Sequence, residues 1–141
     1  MMRADFYLIA KPRFLEAPLL LVCELAKRAY AAGQATVILA RDADQAEELD
    51  DLLWSFEPDA YLPHQIAGAD EDEEFAPVLI VPPELEAPQW PMVINLRDAA
   101  WEGRCERVFE VVPADPAARE PQRERWRRYK TLGFELHKHD M

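Results

Sequence analysis

A chain of 141 residues, half of them hydrophobic, has the length and apolar content for one folded domain and is no disordered tail. Its formal charge of −11 argues against a general affinity for DNA or RNA, and four scattered glycines exclude most glycine-built chemistry. Cys23 and Cys105, far apart and without CxxC spacing, form neither a disulfide framework nor a zinc module and suit a reducing cytoplasm.

The opening Met1-Met2-Arg3-Ala4-Asp5 carries no signal-peptide core. The most apolar run, Pro18 to Leu25, is broken by Glu24 and too short to span a bilayer, so no membrane association is expected. Asp5 to Ile9 is aromatic and β-branched and predicts a buried strand. A helix follows over 14–32, where Leu15, Leu19, Val22, Leu25, Ala26 and Ala29 recur at helical spacing and Gly33 supplies the stop. Pro18 lies in its first turns, which places the start between Phe14 and Pro18. Ala35 to Ala40 predicts a second strand, without polar alternation and hence covered on both faces. Asp42 caps a second helix, with Gln45 three residues on and an apolar stripe of Ala46, Leu49, Leu53 and Phe56. Strand–helix–strand–helix order implies parallel pairing through right-handed crossovers. The expected fold is α/β: a single domain over 1–141, with a mostly parallel central sheet flanked by helices in a Rossmann-like topology.

Tyr61 to Gly68 reads as an apolar loop, and Asp70 to Glu74 as an acidic, solvated loop without the ligand spacing of a calcium site. Pro77 to Val81, Met92 to Leu96 and Glu106 to Val112 predict three further strands. The last helix is expected from Pro116 to Leu132, stopped by Gly133. His137 and His139 would then belong to a frayed terminus rather than a metal pair, since two ligands make a poor site.

Catalytic constellations are sparse. The turn after the first strand, Ala10-Lys11-Pro12-Arg13, has no glycine, which excludes nucleotide binding by the usual loop. Cys23 falls in the apolar register of its helix and reads as core. Cys105, near Arg104 and Arg107, could gain thiolate character but has no histidine nearby in sequence. His64 reads as a backbone-bonded residue of an ordered loop. No catalytic residue, cofactor or metal is expected.

Two surfaces remain. From Arg119 to Lys138 there are seven basic residues against three acids, which leaves fifteen net negative charges on the rest of the chain. On a helical wheel Arg119, Arg123, Trp126, Arg127 and Lys130 share one face, with Tyr129 and Leu132 opposite for docking on the sheet. Arginines around an aromatic suit an acidic peptide with apolar anchors. An inward-packed Trp126 with solvated arginines is the plainer alternative, and a single-stranded nucleic-acid site, with bases stacked on Trp, is another. Trp54, off its helix's core stripe, and Tyr61, in the following loop, either form an interface hot spot or cover the end of the sheet.

Several strings in order carry a resemblance over nearly the whole chain. They are Phe6-Tyr7-Leu8, Cys23-Glu24-Leu25-Ala26, Asp44 through Trp54, Leu62-Pro63-His64, Ala76 through Ile80, Val93 through Leu96, and Arg123-Glu124-Arg125-Trp126-Arg127-Arg128-Tyr129-Lys130 before Gly133-Phe134. The sequence resembles the chi subunit family of bacterial DNA polymerase III. The resemblance implies a non-enzymatic, cytoplasmic accessory subunit that pairs with the psi subunit, reaches the clamp-loader complex through it, and binds the acidic, Phe-terminated tail of single-stranded DNA-binding protein. Carried over by position, the tail site falls on Val112, Arg119, Arg123, Trp126 and Arg127, and the psi surface on Trp54 and Tyr61. Two departures stand out: Trp126 replaces the family's usual Tyr, and Pro121 sits inside the expected helix unless that helix begins there, with Pro121 as its first residue.

Overall fold

The computed structural model describes residues 2–57, 59, 61–68 and 76–141; the acidic run Asp70 to Glu74 lies outside them. The elements run in the order β1 (Arg3–Leu8), α1 (Pro12–Glu16), α2 (Leu19–Ala31), β2 (Thr36–Leu39), α3 (Ala43–Ser55), β3 (His64–Ile66), β4 (Val78–Val81), β5 (Met92–Asn95), β6 (Arg107–Val112), a 3-10 turn (Pro116–Ala118), α4 (Arg119–Thr131) and β7 (Glu135–Asp140). Seven strands form one open sheet in the order β3-β4-β2-β5-β6-β1-β7, and every pairing is parallel. The α/β architecture expected from the sequence is therefore the one observed.

Each face of the sheet has its own core. Ile38, Ile80 and Ile94 pack with Val22, Leu25, Ala46, Leu49 and Leu53 from α2 and α3. Val37, Leu79 and Val93 point the other way and pack with Phe6, Tyr129 and Phe134 beside α4. The strands' continuous apolar runs follow from this double covering. A truncation such as Leu49→Ala would cost about 2–5 kcal/mol, because Leu49 is fully buried.

Local signals explain most boundaries. Asp42 accepts a hydrogen bond from Gln45 N at 2.7 Å, and the Gln45 side chain reaches back to Arg41 N, one residue before the cap. Gly33 and Gly133 have φ of 74° and 87°, the left-handed conformation in which glycine ends a helix without a Cβ clash.

Four expectations need correction. The helix expected over 14–32 is two: Ala17 leaves the helical region (φ −139°, ψ 81°) because proline at the next position disfavours it. That break rotates Leu15 out of the stripe, to 48% exposure. The loop expected at Tyr61 to Gly68 contains β3, whose three residues pair with β4. The expected frayed terminus is β7, paired with β1 along its whole length. Pro121 is the third residue of α4, not the first, and costs the helix nothing there because N–H groups in the first turn have no intrahelical partner.

Candidate protein-docking cleft

The helical wall of the site begins with Asp115, whose carboxylate accepts from Ala117 N at 3.0 Å and caps the 3-10 turn that leads into α4. The helix is fixed to the sheet by Glu110, a fully buried carboxylate on β6. Arg125 Nε donates to its Oε1 at 2.8 Å, while Tyr129 OH and Asn95 Nδ2 each donate to Oε2 at 2.6 Å. Tyr129 OH also accepts from Trp101 N at 2.9 Å. Burial pushes the Glu110 carboxyl above the usual range, against the Arg125 charge and the two neutral donors. Desolvation likewise raises the Tyr129 hydroxyl.

Trp126 lies on α4 between the two anchoring residues Arg125 and Tyr129. Trp126 is half-buried, with its ring centroid 5.1 Å from that of Phe6 in an edge-on contact. It is neither a freely exposed platform nor a core residue.

Beside it opens a cleft of about 510 Å³. Val112, Arg119, Arg123, Trp126 and Arg127 all line it, so the five residues expected at one site share a single cavity. Leu8 and Val112 supply apolar lining from the strand ends, and Lys138 enters from β7. Lys138 was missed in the sequence because β7 was read as a frayed end. Lys130, on the same wheel stripe, is not among the described lining residues. Glu120 lies 3.9 Å from Arg123 Nη1 and 3.8 Å from Arg127 Nη2, too far for hydrogen bonds, and all three side chains are well exposed.

Trp54 and Tyr61 occupy the far end of the molecule, on α3 and just before edge strand β3. They are 58% and 73% exposed. The Trp54 ring leans on the buried His64 ring at 4.6 Å between centroids. His64 Nδ1 is 2.7 Å from the Leu62 carbonyl and Nε2 is 3.1 Å from the Asp50 carbonyl, so it props the Trp54 ring as a backbone-bonded residue. The two surfaces lie on opposite faces of the sheet and towards opposite edges.

Burial pushes the Cys23 thiol to about 12 and the Cys105 thiol to about 11, so the thiolate suggested by Arg104 and Arg107 does not form at neutral pH. His139 Nε2 sits 2.7 Å from Asp5, and no group of three metal-ligating side chains occurs among the described residues. After β1, Ala10 N and Lys11 N, which in a phosphate loop would face a phosphate, both donate to the Met141 carbonyl at 2.8 and 3.0 Å. No helix among the described residues is long and apolar enough to cross a membrane.

The chain carries an arginine-lined apolar cleft on an open, all-parallel α/β framework. Its likeness to a chain of the S. cerevisiae dbp5 assembly with nup159, gle1, IP6 and ADP shows that framework alone: TM-score 0.63 and 14% identity over 97% of this chain and 41% of that one. The chain belongs to the DNA polymerase III chi subunit family (HolC), whose model matches residues 1–137. It is 36% identical to the DNA polymerase III subunit chi of Pseudomonas aeruginosa, over 99% of this chain and 96% of that protein. The Escherichia coli protein of the same name is 31% identical over 96% of each chain. Family membership makes this an accessory subunit of a replicative polymerase.

Proposed function

We propose that the chain is a non-catalytic adaptor of the bacterial cytoplasm, a single domain over 1–141 that joins two protein partners during DNA replication. The cleft at Val112, Arg119, Arg123, Trp126 and Arg127 takes the acidic, Phe-terminated tail of single-stranded DNA-binding protein. The Trp54–Tyr61 surface takes the psi subunit and, through it, the clamp loader. The supporting observation is the cleft itself: one cavity of about 510 Å³ combining apolar strand ends, a half-buried indole and three helix arginines. A peptide with acids upstream of a terminal aromatic matches that lining in charge and polarity. Holding the loader near coated template raises its effective concentration and requires no chemistry. A single-stranded nucleic-acid site is less favoured, because Trp126 is packed edge-on against Phe6 instead of offering an open stacking face, and the chain as a whole is acidic.

Calorimetric titration against an acidic Phe-ended peptide, the same peptide with its Phe replaced by Ala, and oligothymidine tests this reading. Binding is expected for the first alone. Tight oligothymidine binding, or indifference to the terminal Phe, would remove it. In parallel, Trp54→Ala should weaken psi binding and leave the peptide titration unchanged.

A further inference from the structure

Side chains alternate across a strand, so the register of β7 decides which of its residues reach the cleft. Lys138 is paired with Phe6, whose ring packs on the α4 side against Trp126. Lys138 therefore rises on the wall opposite the helix, while His139 points to the other face and meets Asp5. The cations thus approach the apolar floor from two directions: three arginines from α4 and one ammonium from β7.

These cations differ in what already faces them. Arg123 and Arg127 share Glu120. Among the described residues, no carboxylate is paired with Lys138. Asp115 is the one acid among the described lining residues, and it already accepts from Ala117 N. Asp140, two residues beyond Lys138, is in register with Leu8 on the same side, and nothing pairs the two.

A point charge next to an apolar floor reads a carboxylate that arrives joined to an apolar group. In a peptide whose last residue is aromatic, the α-carboxylate is tied to the Cα that carries the ring. Upstream acids are instead spread along an extended chain at about 3.3 Å per residue, which suits a stripe of helix arginines. We infer that Lys138 anchors the α-carboxylate of a peptide whose terminal aromatic side chain fills the cleft, while the arginines of α4 take the acids upstream. This rests on the tail-binding reading proposed above and assigns a distinct task to each wall.

The test crosses two proteins with two ligands. Wild type and Lys138→Gln are titrated by calorimetry with a Phe-ended acidic peptide as the free acid and as the C-terminal amide. Wild type is expected to prefer the free acid about tenfold, as for loss of a charge-assisted contact. Lys138→Gln should lose most of that preference by binding the free acid more weakly while binding the amide as wild type does. Lys138→Arg should restore the preference. Equal weakening of both ligands by Lys138→Gln, with an unchanged melting curve, would reduce Lys138 to general charge and overturn the inference. Equal binding of acid and amide by wild type would overturn it too, and leave the adaptor reading standing. Binding of neither peptide by wild type would overturn both.

Discussion

Asp5 and Glu110 are both fully buried carboxylates that face opposite sides of one sheet; Asp5 ties β1 to β6 and β7, and Glu110 ties β6 to α4 and β5. Asp5 receives Arg3 from its own strand, Arg107 from β6 and His139 from β7, at 2.6–3.1 Å. Burial pushes its pKa up, but the hydrogen bonds from Arg107, Arg3 and His139 together outweigh this and hold it below the usual range. Glu110 has one cation, Arg125, and two neutral donors, and there burial wins. The two carboxyls shift oppositely because Asp5 is held by two guanidinium groups and an imidazole close to solvent, whereas Glu110 is enclosed more deeply with one cation and two dipoles. The Asp5 partners are partly open to water, whereas Arg125 is largely enclosed, so the helix wall is the drier joint.

The contrast breaks most visibly at Glu110. Glu110→Ala leaves Arg125, Asn95 and the Tyr129 hydroxyl without their partner and should cost about 3–5 kcal/mol in a urea melt. A loss under about 1 kcal/mol would mean that water relieves the network and that the helix wall is not a dry joint.

Asp5→Asn should cost about 2–3 kcal/mol at neutral pH, since its cationic partners can turn to solvent. The pH slopes sharpen the contrast. Asp5, depressed in the fold, contributes stability above its ordinary pKa of 3.8 and loses it as pH falls through the lower folded value. The Asp5→Asn deficit should therefore shrink below pH 3.8. Glu110, raised in the fold, contributes most below 4.5 and less as pH rises through its raised pKa, so the deficit of Glu110→Gln should shrink in that direction. Parallel slopes in melts across the acid range would contradict the assigned directions.

Smaller effects belong to the cleft surface. Arg127→Ala should weaken the acidic peptide by about 1.5 kcal/mol, the low end for a charge-assisted contact because the side chain is well exposed, and less so in high salt. Glu120→Gln should strengthen the same peptide by roughly 0.3–0.8 kcal/mol, because it frees two arginines from a loose, solvated partner. Weaker binding in Glu120→Gln would show that Glu120 positions the arginines instead of competing for them.

Much of the fold was legible in the chain. The apolar runs of β2, β4 and β5 need no partner to be recognised, and neither do the Asp42 cap or the Gly33 and Gly133 stops. What escaped was structure without a local signal. β7 has a single apolar residue, Leu136, and owes its place to the ladder with β1; β3 is three residues long and owes its place to β4. Leu15 fitted a periodic stripe that Pro18 interrupts.

The candidate site divides in the same way. By itself the sequence determined the helix stripe of Arg119, Arg123, Trp126 and Arg127, because residues three and four apart share a helix face whatever the helix touches. Only the tertiary structure decided that Trp126 is half-buried against Phe6, that Lys138 joins Val112 and the helix residues in one cavity, and that Glu110 is enclosed with Asn95, Arg125 and Tyr129. Those contacts join residues 15 to more than 100 positions apart. Helical periodicity is local, whereas a cavity and the burial of a charge depend on which distant strands become neighbours, and that is settled by the order of strands in the sheet.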